Sequence, residues 1–363
     1  MEKILLEDCC EILDSMRVPI TSSDRVEGPY PYYGANGIQD HVADYIFDDE
    51  LVLLAEDGGN FGSKERPIAY RVSGKCWVNN HAHVLKPKEG LDVDYLCYSL
   101  MFYNVGGMVN GATRQKLTQA AMRKMLIPKR SLNEQKYIVD LLTKVVTLKE
   151  KRQQELDQLD NLIKARFVEL FVSKNYPRED LDSLSFGKGE YGAQSASVEY
   201  DPDRPRYVRI TDINDDGSLN EDYVCSSNIE DDETYKLTYG DFCFARMGAT
   251  VGKTYAYKSG NQIFAGYLIR YKLRLDRIIP EYLYEFTRLD EYWNWVLLNQ
   301  SGAAQPGINS KKYGSLLVPV APLEEQQKFA EFVKQVDKSK VAVQKALDEA
   351  QTLFDSLMQE YFG

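Results

Sequence analysis

The glycine-rich stretch Gly248–Thr254 carries residue types that could bind a phosphate. A P-loop has four residues between its two glycines, so that backbone N–H groups surround the phosphates, and it opens a helix. Here three residues separate Gly248 from Gly252, and Lys253–Tyr257 alternates like a strand. A related stretch, Gly58–Lys64, shares the turn glycines but lacks the Lys-Thr pair. Both stretches therefore predict tight turns and not nucleotide sites.

His81 and His83 are spaced as two metal ligands could be, because alternate residues share one face of a strand. The chain has only three histidines, however, and neither a carboxylate nor a thiol lies at a typical partner spacing. The six cysteines show no C-x-x-C spacing and are interpreted as reduced thiols. The run Asp212–Gly217 lacks the distal glutamate of a calcium loop and predicts a turn. We therefore predict no metal and no cofactor, and a surface or groove position for the histidine pair.

Catalytic signatures are also missing. The sequence has no Asn-Pro-Pro-Tyr-like tetrapeptide, which a methyltransferase acting on base amino groups would carry. No serine, cysteine or carboxylate combination indicates a nucleophile or an acid–base pair. We predict a non-catalytic binding protein.

An internal repeat organises the 363 residues. The segment Leu126–Gln135 aligns without a gap with Leu317–Gln326, at an offset of 191 residues. Upstream, Leu54–Ala55 aligns with Phe244–Ala245 at an offset of 190. The globular part of each copy carries short β-branched or aromatic runs that predict strands, among them Tyr207–Ile213. The chain is therefore predicted to be a tandem duplication.

Each copy ends in a seam of mainly apolar residues spaced by alternating threes and fours, which predicts a long amphipathic helix. The seam positions are Ile138, Leu142, Val145, Lys149, Arg152, Leu156, Leu159, Ile163, Arg166 and Leu170 in the first copy, and Phe329, Val333, Val336, Lys340, Val343, Leu347, Ala350, Phe354, Leu357 and Tyr361 in the second. A basic residue, Lys149 or Lys340, interrupts the two seams at matching positions. The predicted fold class is α+β: two similar mixed α/β globular domains and two long helices that form an antiparallel coiled coil, with pseudo-twofold symmetry. The alternative is that each helix lies on its own globular domain. The predicted segments are 1–128, 129–173, 174–319 and 320–363.

Together these features resemble the specificity subunit of type I restriction-modification systems. The resemblance covers essentially the whole chain, and four kinds of segment carry it: Tyr32–Ile38, Tyr207–Ile213, Gly111–Leu117, and the Pro-x3-Leu-x-Glu-Gln stretches at Pro128 and Pro319. It implies two target recognition domains, each reading one half of a split double-stranded DNA sequence, with the helix pair setting the gap between the halves. It also implies two docked methylation subunits, and motor-nuclease restriction subunits in a larger complex.

Base reading requires polar side chains on loops or strand ends that can enter the major groove. The candidates in the first half are Tyr32, Asn36, Asn60, Lys64, Asn79, Asn80, His81, Arg114, Gln115 and Lys116. The candidates in the second half are Arg204, Arg206, Arg209, Arg246, Thr250, Lys253, Arg270, Gln305, Asn309 and Lys311. For each one, a surface charge or a turn-stabilising amide is the competing interpretation.

The charge balance limits this hypothesis. The chain has 44 Lys and Arg against 55 Asp and Glu, a net charge of −11, whereas a generic nucleic-acid binder is basic. DNA contacts must then use local patches, and partner subunits are expected to supply much of the phosphate-neutralising surface. Acidity and aromatic richness favour a second interpretation, a coiled-coil adaptor that does not bind DNA. An acidic start without a long apolar core, and apolar runs too short to span a bilayer, predict a cytoplasmic location without membrane contact.

Overall fold

The computed structural model describes residues 2–111, 115–229, 233–302 and 306–363. It divides into two compact units: unit 1 comprises residues 1–153 and 345–363, and unit 2 comprises residues 154–344. The two long helices are α4 (Leu132–Phe167) and α8 (Leu323–Phe362), and each unit includes one half of each.

Unit 1 is built on a six-stranded sheet of order β2-β7-β5-β6-β3-β4, in which only the β3–β6 pair is parallel. Two further pairs, β1–β10 and β8–β9, flank it. The elements are β1 (Lys3–Leu5), α1 (Leu6–Cys9), β2 (Cys10–Ile12), β3 (Tyr30–Gly34), β4 (Gly37–Val42), β5 (Phe47–Ala55), β6 (Ala69–Val78), β7 (Ala82–Pro87), α2 (Val93–Met101), β8 (Val109–Asn110), β9 (Lys116–Leu117), α3 (Gln119–Arg123) and β10 (Leu126–Pro128).

Unit 2 contains two four-stranded sheets, of orders β12-β19-β16-β17 and β13-β15-β14-β18, and the separate pair β11–β20. The first sheet repeats the β2-β7-β5-β6 part of unit 1. Its elements are β11 (Arg178–Asp180), β12 (Glu190–Tyr191), β13 (Ser197–Glu199), β14 (Arg206–Val208), β15 (Cys225–Ser227), β16 (Asp241–Ala245), β17 (Thr254–Ala256), β18 (Gln262–Phe264), β19 (Leu268–Lys272), α5 (Pro280–Phe286), α6 (Asp290–Asn299), α7 (Ser310–Gly314) and β20 (Leu317–Pro319).

The predicted strand Tyr207–Ile213 ends early, and Ile210–Asp212 forms a 3₁₀ turn instead. The side chain of Asp212 stabilises this turn. Its Oδ2 accepts a hydrogen bond from the Arg209 backbone N–H at 2.9 Å, and its Oδ1 pairs with the Arg209 guanidinium at 2.7 Å. A short acidic side chain that bonds nearby backbone groups competes with the sheet ladder, which explains the early end of the strand.

In unit 1, the first half of α4 packs antiparallel against the last half of α8. Just before α4, Arg130 lies over the ring of Tyr361 at 5.5 Å, whereas Lys149 within α4 lies over the ring of Phe354 at 5.0 Å. Residue numbers therefore rise along one helix as they fall along the other. The basic residue predicted to interrupt this seam makes a cation–π contact.

In unit 2, the other two halves pair in the same sense. Asp160 of α4 accepts a hydrogen bond from Lys340 of α8 at 2.8 Å, and Phe167 packs edge-on against Phe329 at 5.4 Å. All positions of the two predicted seams are buried or half-buried, so the helical prediction is confirmed. Phe167 also contacts Tyr282 of α5 at 4.9 Å, so packing on the globular part occurs together with helix pairing.

The repeated Leu-x-Glu-Gln motif ties the start of each long helix to its unit. Gln135 is buried, and its Nε2 donates to the carbonyls of Gly90 and Arg130 at 3.0 and 2.9 Å. Its Oε1 accepts from the backbone N–H of Asp92 at 2.7 Å. The buried Gln326 makes the same three kinds of hydrogen bond in unit 2. A buried amide with donor and acceptor both satisfied fixes the direction in which each helix leaves its unit.

Unit 2 contains a buried carboxyl that should make stability depend on pH. Burial of Glu285 raises its pKa to about 7 although Arg288 opposes the shift, and no group of the described residues hydrogen-bonds its Oε2. The folded chain therefore binds a proton more tightly than the unfolded chain, so stability should fall as pH rises from about 4.5 to 7. Glu285→Gln should raise the free energy of unfolding at pH 8 by up to about 3 kcal/mol, with little change at pH 4.5.

Thermal unfolding of the full chain between pH 4.5 and 8 measures this effect. The matched control is Glu281→Gln, because Glu281 is exposed on the same helix. If both variants shift the unfolding midpoint equally at pH 8, burial of Glu285 does not have the expected consequence.

Candidate nucleic-acid interface

Three segments meet at one end of the unit 1 sheet: the end of β5, the tight turn at Gly58, and residues 115–118, here called the late loop of unit 1. Glu56, directly after β5, donates its backbone N–H to the carbonyl of His81 at 2.9 Å. Its carbonyl accepts from Leu117 at 2.7 Å, and the N–H of Gly58 donates to Gln115 at 3.4 Å. Short segments that are distant in sequence therefore form one surface.

Unit 2 repeats this construction bond for bond. Arg246, directly after β16, donates its N–H to the carbonyl of Tyr267 at 3.0 Å, and its carbonyl accepts from Ile308 at 2.9 Å. The N–H of Gly248 donates to Pro306 at 2.9 Å. The offset of 190 residues detected in the sequence is thus a structural equivalence.

The tight turns predicted from the glycine-rich stretches are present. Gly58 and Gly248 have φ angles of 62° and 72°, a left-handed conformation that side chains rarely adopt. Gly248–Thr250 forms a 3₁₀ turn, and a strand begins at Thr254, so the stretch does not open a helix as a P-loop does.

Unit 1 places a charge network beneath this surface. His83 is buried, so it does not have the surface or groove position predicted for the histidine pair. Its Nδ1 lies 2.7 Å from Asp14 Oδ2, and its Nε2 lies 2.9 Å from the carbonyl of Leu117. Glu56 is also buried, with Arg17 Nη1 at 2.6 Å from one carboxylate oxygen and Lys116 Nζ at 2.9 Å from the other.

These contacts lower the pKa values of the two buried carboxyls. Burial raises the pKa of Asp14, but the hydrogen bond and charge of His83, together with hydrogen bonds from Val84 N–H and Gln119, outweigh it, so the pKa lies below its ordinary value. Burial likewise raises the pKa of Glu56, and hydrogen bonds from Lys116 and Arg17 bring it below its ordinary value. Both groups are therefore held as carboxylates.

Asp14, Glu56 and His83 are close enough for one ion, since a ligand atom from each lies within 4.8 Å of the others. All these ligand atoms already contact protein groups. Val84 N–H and Gln119 Nε2 bond the two oxygens of Asp14, both at 2.9 Å, and two cations neutralise Glu56. The donor set therefore fits a charge network that joins the sheet to the late loop better than a metal centre.

Several sequence candidates of the first half meet at this end of unit 1. Asn36 is exposed and donates from Nδ2 to the carbonyl of Gly58 at 3.0 Å. The imidazole of His81 lies 2.7 Å from Asp57, and the side chain of Lys116 is half exposed. The remaining candidates on the loops of this end are Asn60, Lys64, Asn80 and Gln115.

Three sequence candidates are corrected because their side chains are buried. Tyr32 is 1% exposed and Asn79 is 3% exposed, and the side chain of Asn79 accepts from His81 N–H at 2.7 Å. Arg270 is 3% exposed and pairs with Glu190 and Asp241. These side chains hold the fold and cannot reach a ligand on the surface.

Most basic candidates of the second half are engaged by acidic neighbours. Arg206 pairs with Glu221 at 2.8 Å, Arg209 with Asp212 at 2.7 Å, Lys253 with Asp215 at 2.7 Å, and Arg204 with Asp201 at 3.6 Å. Arg246 differs from all four, because no carboxylate pairs with it among the residues that the structure describes.

The other candidates of the second half have local roles or lie elsewhere. Thr250 donates its hydroxyl to the carbonyl of Met247 at 3.3 Å, and Asn309 caps α7 by accepting from Lys312 N–H at 3.0 Å. Lys311 is exposed on α7. Arg114 and Gln305 lie outside the described residues.

Sequence reasoning missed the residues that surround Arg246 and Glu56. Tyr191 and Tyr267 flank the Arg246 guanidinium, whose carbon lies 4.9 and 5.8 Å from their ring centres. Asp14 comes from a segment far upstream and carries no motif. The offset that aligns Ala55 with Ala245 does place Glu56 opposite Arg246, so the sequence contained that signal.

Comparison with known proteins identifies the family. The model of the type I restriction modification DNA specificity domain matches residues 1–158 and 190–350. Two matched segments that together cover most of the chain establish that it belongs to this family. The predicted resemblance is confirmed.

Two curated relatives are named as specificity subunits of type I restriction enzymes. A putative type I restriction enzyme specificity subunit of Haemophilus influenzae is 40% identical over 143 residues, 39% of this chain and 37% of the relative. The EcoprrI type I restriction enzyme specificity subunit of Escherichia coli is 25% identical over 119 residues, 33% of this chain and 28% of the relative. The matches thus span about a third of each relative's length.

Solved structures show the same fold. The S subunit of a type I restriction-modification system from M. genitalium is 15% identical, covers 100% of this chain and 96% of its own, and has a TM-score of 0.55. A structure described as the basis of complex assembly and conformational transition in a type I R-M system is 14% identical, covers 99% and 96%, and has a TM-score of 0.59. The predicted fold class is confirmed. Among the described residues, no helix is long and apolar enough to cross a membrane.

Proposed function

We propose that this chain is the non-catalytic DNA-recognition subunit of a type I restriction-modification complex, with one half of a split DNA sequence read by each unit. The observation that carries the proposal is the repeated surface after β5 and β16. Equivalent backbone hydrogen bonds build it in both units, and different side chains cover it. A protein that reads two different half-sites needs this combination, because the duplex backbone is the same at both sites and the bases differ.

The proposal includes the partners implied by the family. Two methylation subunits dock on the chain, restriction subunits join the larger complex, and the complex works in the cytoplasm. The net charge of −11 supports this division, because an acidic chain by itself repels phosphates and gains from basic partners. Two equivalent helix starts, locked by Gln135 and Gln326, offer one matching surface per unit to two copies of a partner.

The test is selection of bound sequences from a randomised duplex library. The full chain is co-purified with a methylation subunit from its own genome, and bound DNA is sequenced. We expect two groups of fixed bases separated by a constant number of free positions. The methylation subunit without this chain is the control and should enrich no such motif. Absence of enrichment with the complex would contradict DNA recognition and favour the coiled-coil adaptor.

A further inference from the structure

Among the residues that the structure describes, the guanidinium of Arg246 has two aromatic neighbours and no acidic partner. Its carbon lies 4.9 Å from the ring centre of Tyr191 and 5.8 Å from that of Tyr267. Its Nε is buried and has no hydrogen-bond partner in the described part of the chain. A guanidinium flanked by aromatic rings keeps its plane and its charge while its donors remain available.

Tyr191 is itself held by Ser310, the first residue of α7. Its hydroxyl accepts hydrogen bonds from the backbone N–H and the hydroxyl of Ser310, at 3.2 and 3.3 Å. Burial raises the pKa of Tyr191, but these hydrogen bonds, the positive charge of Arg246 and a hydrogen bond with its side chain outweigh it, so the pKa lies below its ordinary value. The strand β12, which carries Tyr191, pairs with β19 opposite Ile269. The ring is therefore positioned from two sides.

Arg246 opens onto a cavity of about 730 Å³ within unit 2. The walls include Tyr267, which is half exposed, and the polar side chains of Gln194, Ser195 and Thr211. The cavity is lined by apolar and polar groups, and no carboxylate of the described residues pairs with the Arg246 guanidinium at its wall. Such a concavity suits a planar ligand that offers hydrogen-bond acceptors at its edge.

The equivalent position in unit 1 has the opposite charge. Glu56 makes the same two backbone hydrogen bonds as Arg246, but Arg17 and Lys116 neutralise its carboxylate. Phosphates are identical in both half-sites, so a contact to phosphate would be expected to recur in both units. A side chain whose charge reverses between the copies fits a contact to the part of DNA that differs, which is a base.

We propose that Arg246 reads a guanine in the half-site bound by unit 2, with Tyr191 and Tyr267 as positioning residues. Two guanidinium N–H groups would donate to O6 and N7 at the major-groove edge, the pair of acceptors that guanine alone presents there. This inference rests on the proposed function, since it names one base contact within that recognition.

The experiment repeats the library selection with the full chain and its methylation subunit, using Arg246→Ala and Arg246→Lys. Both variants should lose the preference for guanine at one position of one half-site by about 5- to 150-fold, and leave the other half-site unchanged. Lysine keeps the charge but not the paired donors, so it separates a base contact from a phosphate contact. Thermal unfolding of each variant shows that the fold is retained.

The matched control is Lys258→Ala, which removes the same charge from an exposed position of unit 2. Lys258 follows the end of β17 that lies away from Arg246, because Thr254 pairs with Phe244 and Ala256 with Phe242. The bound motif of this variant should match that of the wild type.

The role of Tyr191 is tested through the same preference. Tyr191→Phe keeps the ring but loses the hydrogen bonds from Ser310. As a single variant it should weaken the preference for guanine. In a chain that already carries Arg246→Ala it should cause no further change in that preference. A purely structural residue would lower stability in both backgrounds without changing base preference.

Two results would overturn the inference while the proposed function stands. In the first, Arg246→Ala weakens binding to all sequences alike and Arg246→Lys restores it, which is a phosphate contact. In the second, a bipartite motif persists with unchanged base preferences in both variants. A wild-type complex that enriches no motif would instead refute the proposed function and this inference with it.

Discussion

Replacing Phe167 by alanine is expected to lower the free energy of unfolding by about 3 to 5 kcal/mol, because it removes a buried aromatic ring and leaves a cavity among its neighbours. Phe167 is 0% exposed. Its ring lies 5.0 Å from Phe171, 4.9 Å from Tyr282 and 5.4 Å from Phe329, so it joins α4 to α5 and α8. Scanning calorimetry of the full chain measures the loss as a lower unfolding midpoint.

Leu162→Ala is the matched control on the same helix. Leu162 is 47% exposed, so its truncation should change stability by less than about 1 kcal/mol. Equal losses for the two variants would mean that the aromatic cluster does not hold the end of α4 to unit 2.

The long helices were predictable because their pattern is local. A seam with a spacing of threes and fours determines which side of a helix is apolar, and the structure buries or half-buries all these positions. The partners of the two basic interruptions were not predictable. Lys149 lies over Phe354, whereas Lys340 bonds Asp160, and only the packing of α8 on α4 decides between these environments.

Candidate site residues were chosen by type and loop position, which cannot distinguish a core arginine from a surface one. Arg246 and Arg270 show the difference. β19 buries Arg270, which pairs with the buried Asp241 and the exposed Glu190. Arg246 follows the last residue of β16 and lies over the rings of Tyr191 and Tyr267. Strand pairing determines whether each arginine is buried or reaches the surface, so residue type alone does not predict its position.

The repeat itself is the strongest guide that the sequence offered to the site. Its offset pairs Glu56 with Arg246 and thereby points to one place where the two copies carry opposite charges. The side chains that contact these two charges come from other segments: Arg17 pairs with Glu56, and Arg246 lies over the ring of Tyr191. A repeat alignment can thus locate a position, whereas its chemistry depends on tertiary contacts.

Replacing Asp14 by alanine should destabilise unit 1 by about 3 to 5 kcal/mol, since removal of one partner leaves buried polar groups uncompensated. The carboxylate of Asp14 accepts from Val84 N–H and from Gln119, both at 2.9 Å, and lies 2.7 Å from His83. The late loop should lose its attachment to the sheet, because His83 also contacts the carbonyl of Leu117. Hydrogen exchange of the loop amides and thermal unfolding measure the two effects.

The effect of Asp14→Ala should depend on pH in a defined direction. The folded chain lowers the pKa of Asp14 below its ordinary value of 3.8, so its contribution is present above about pH 4 and is lost as pH falls below that value. The difference between wild type and variant should therefore shrink in acid. Asp44→Ala is the control, because Asp44 is exposed and its carboxylate accepts a local hydrogen bond from the adjacent Tyr45 N–H. A loss of stability for Asp14→Ala no larger than for this control would show that the buried network contributes little to holding the late loop.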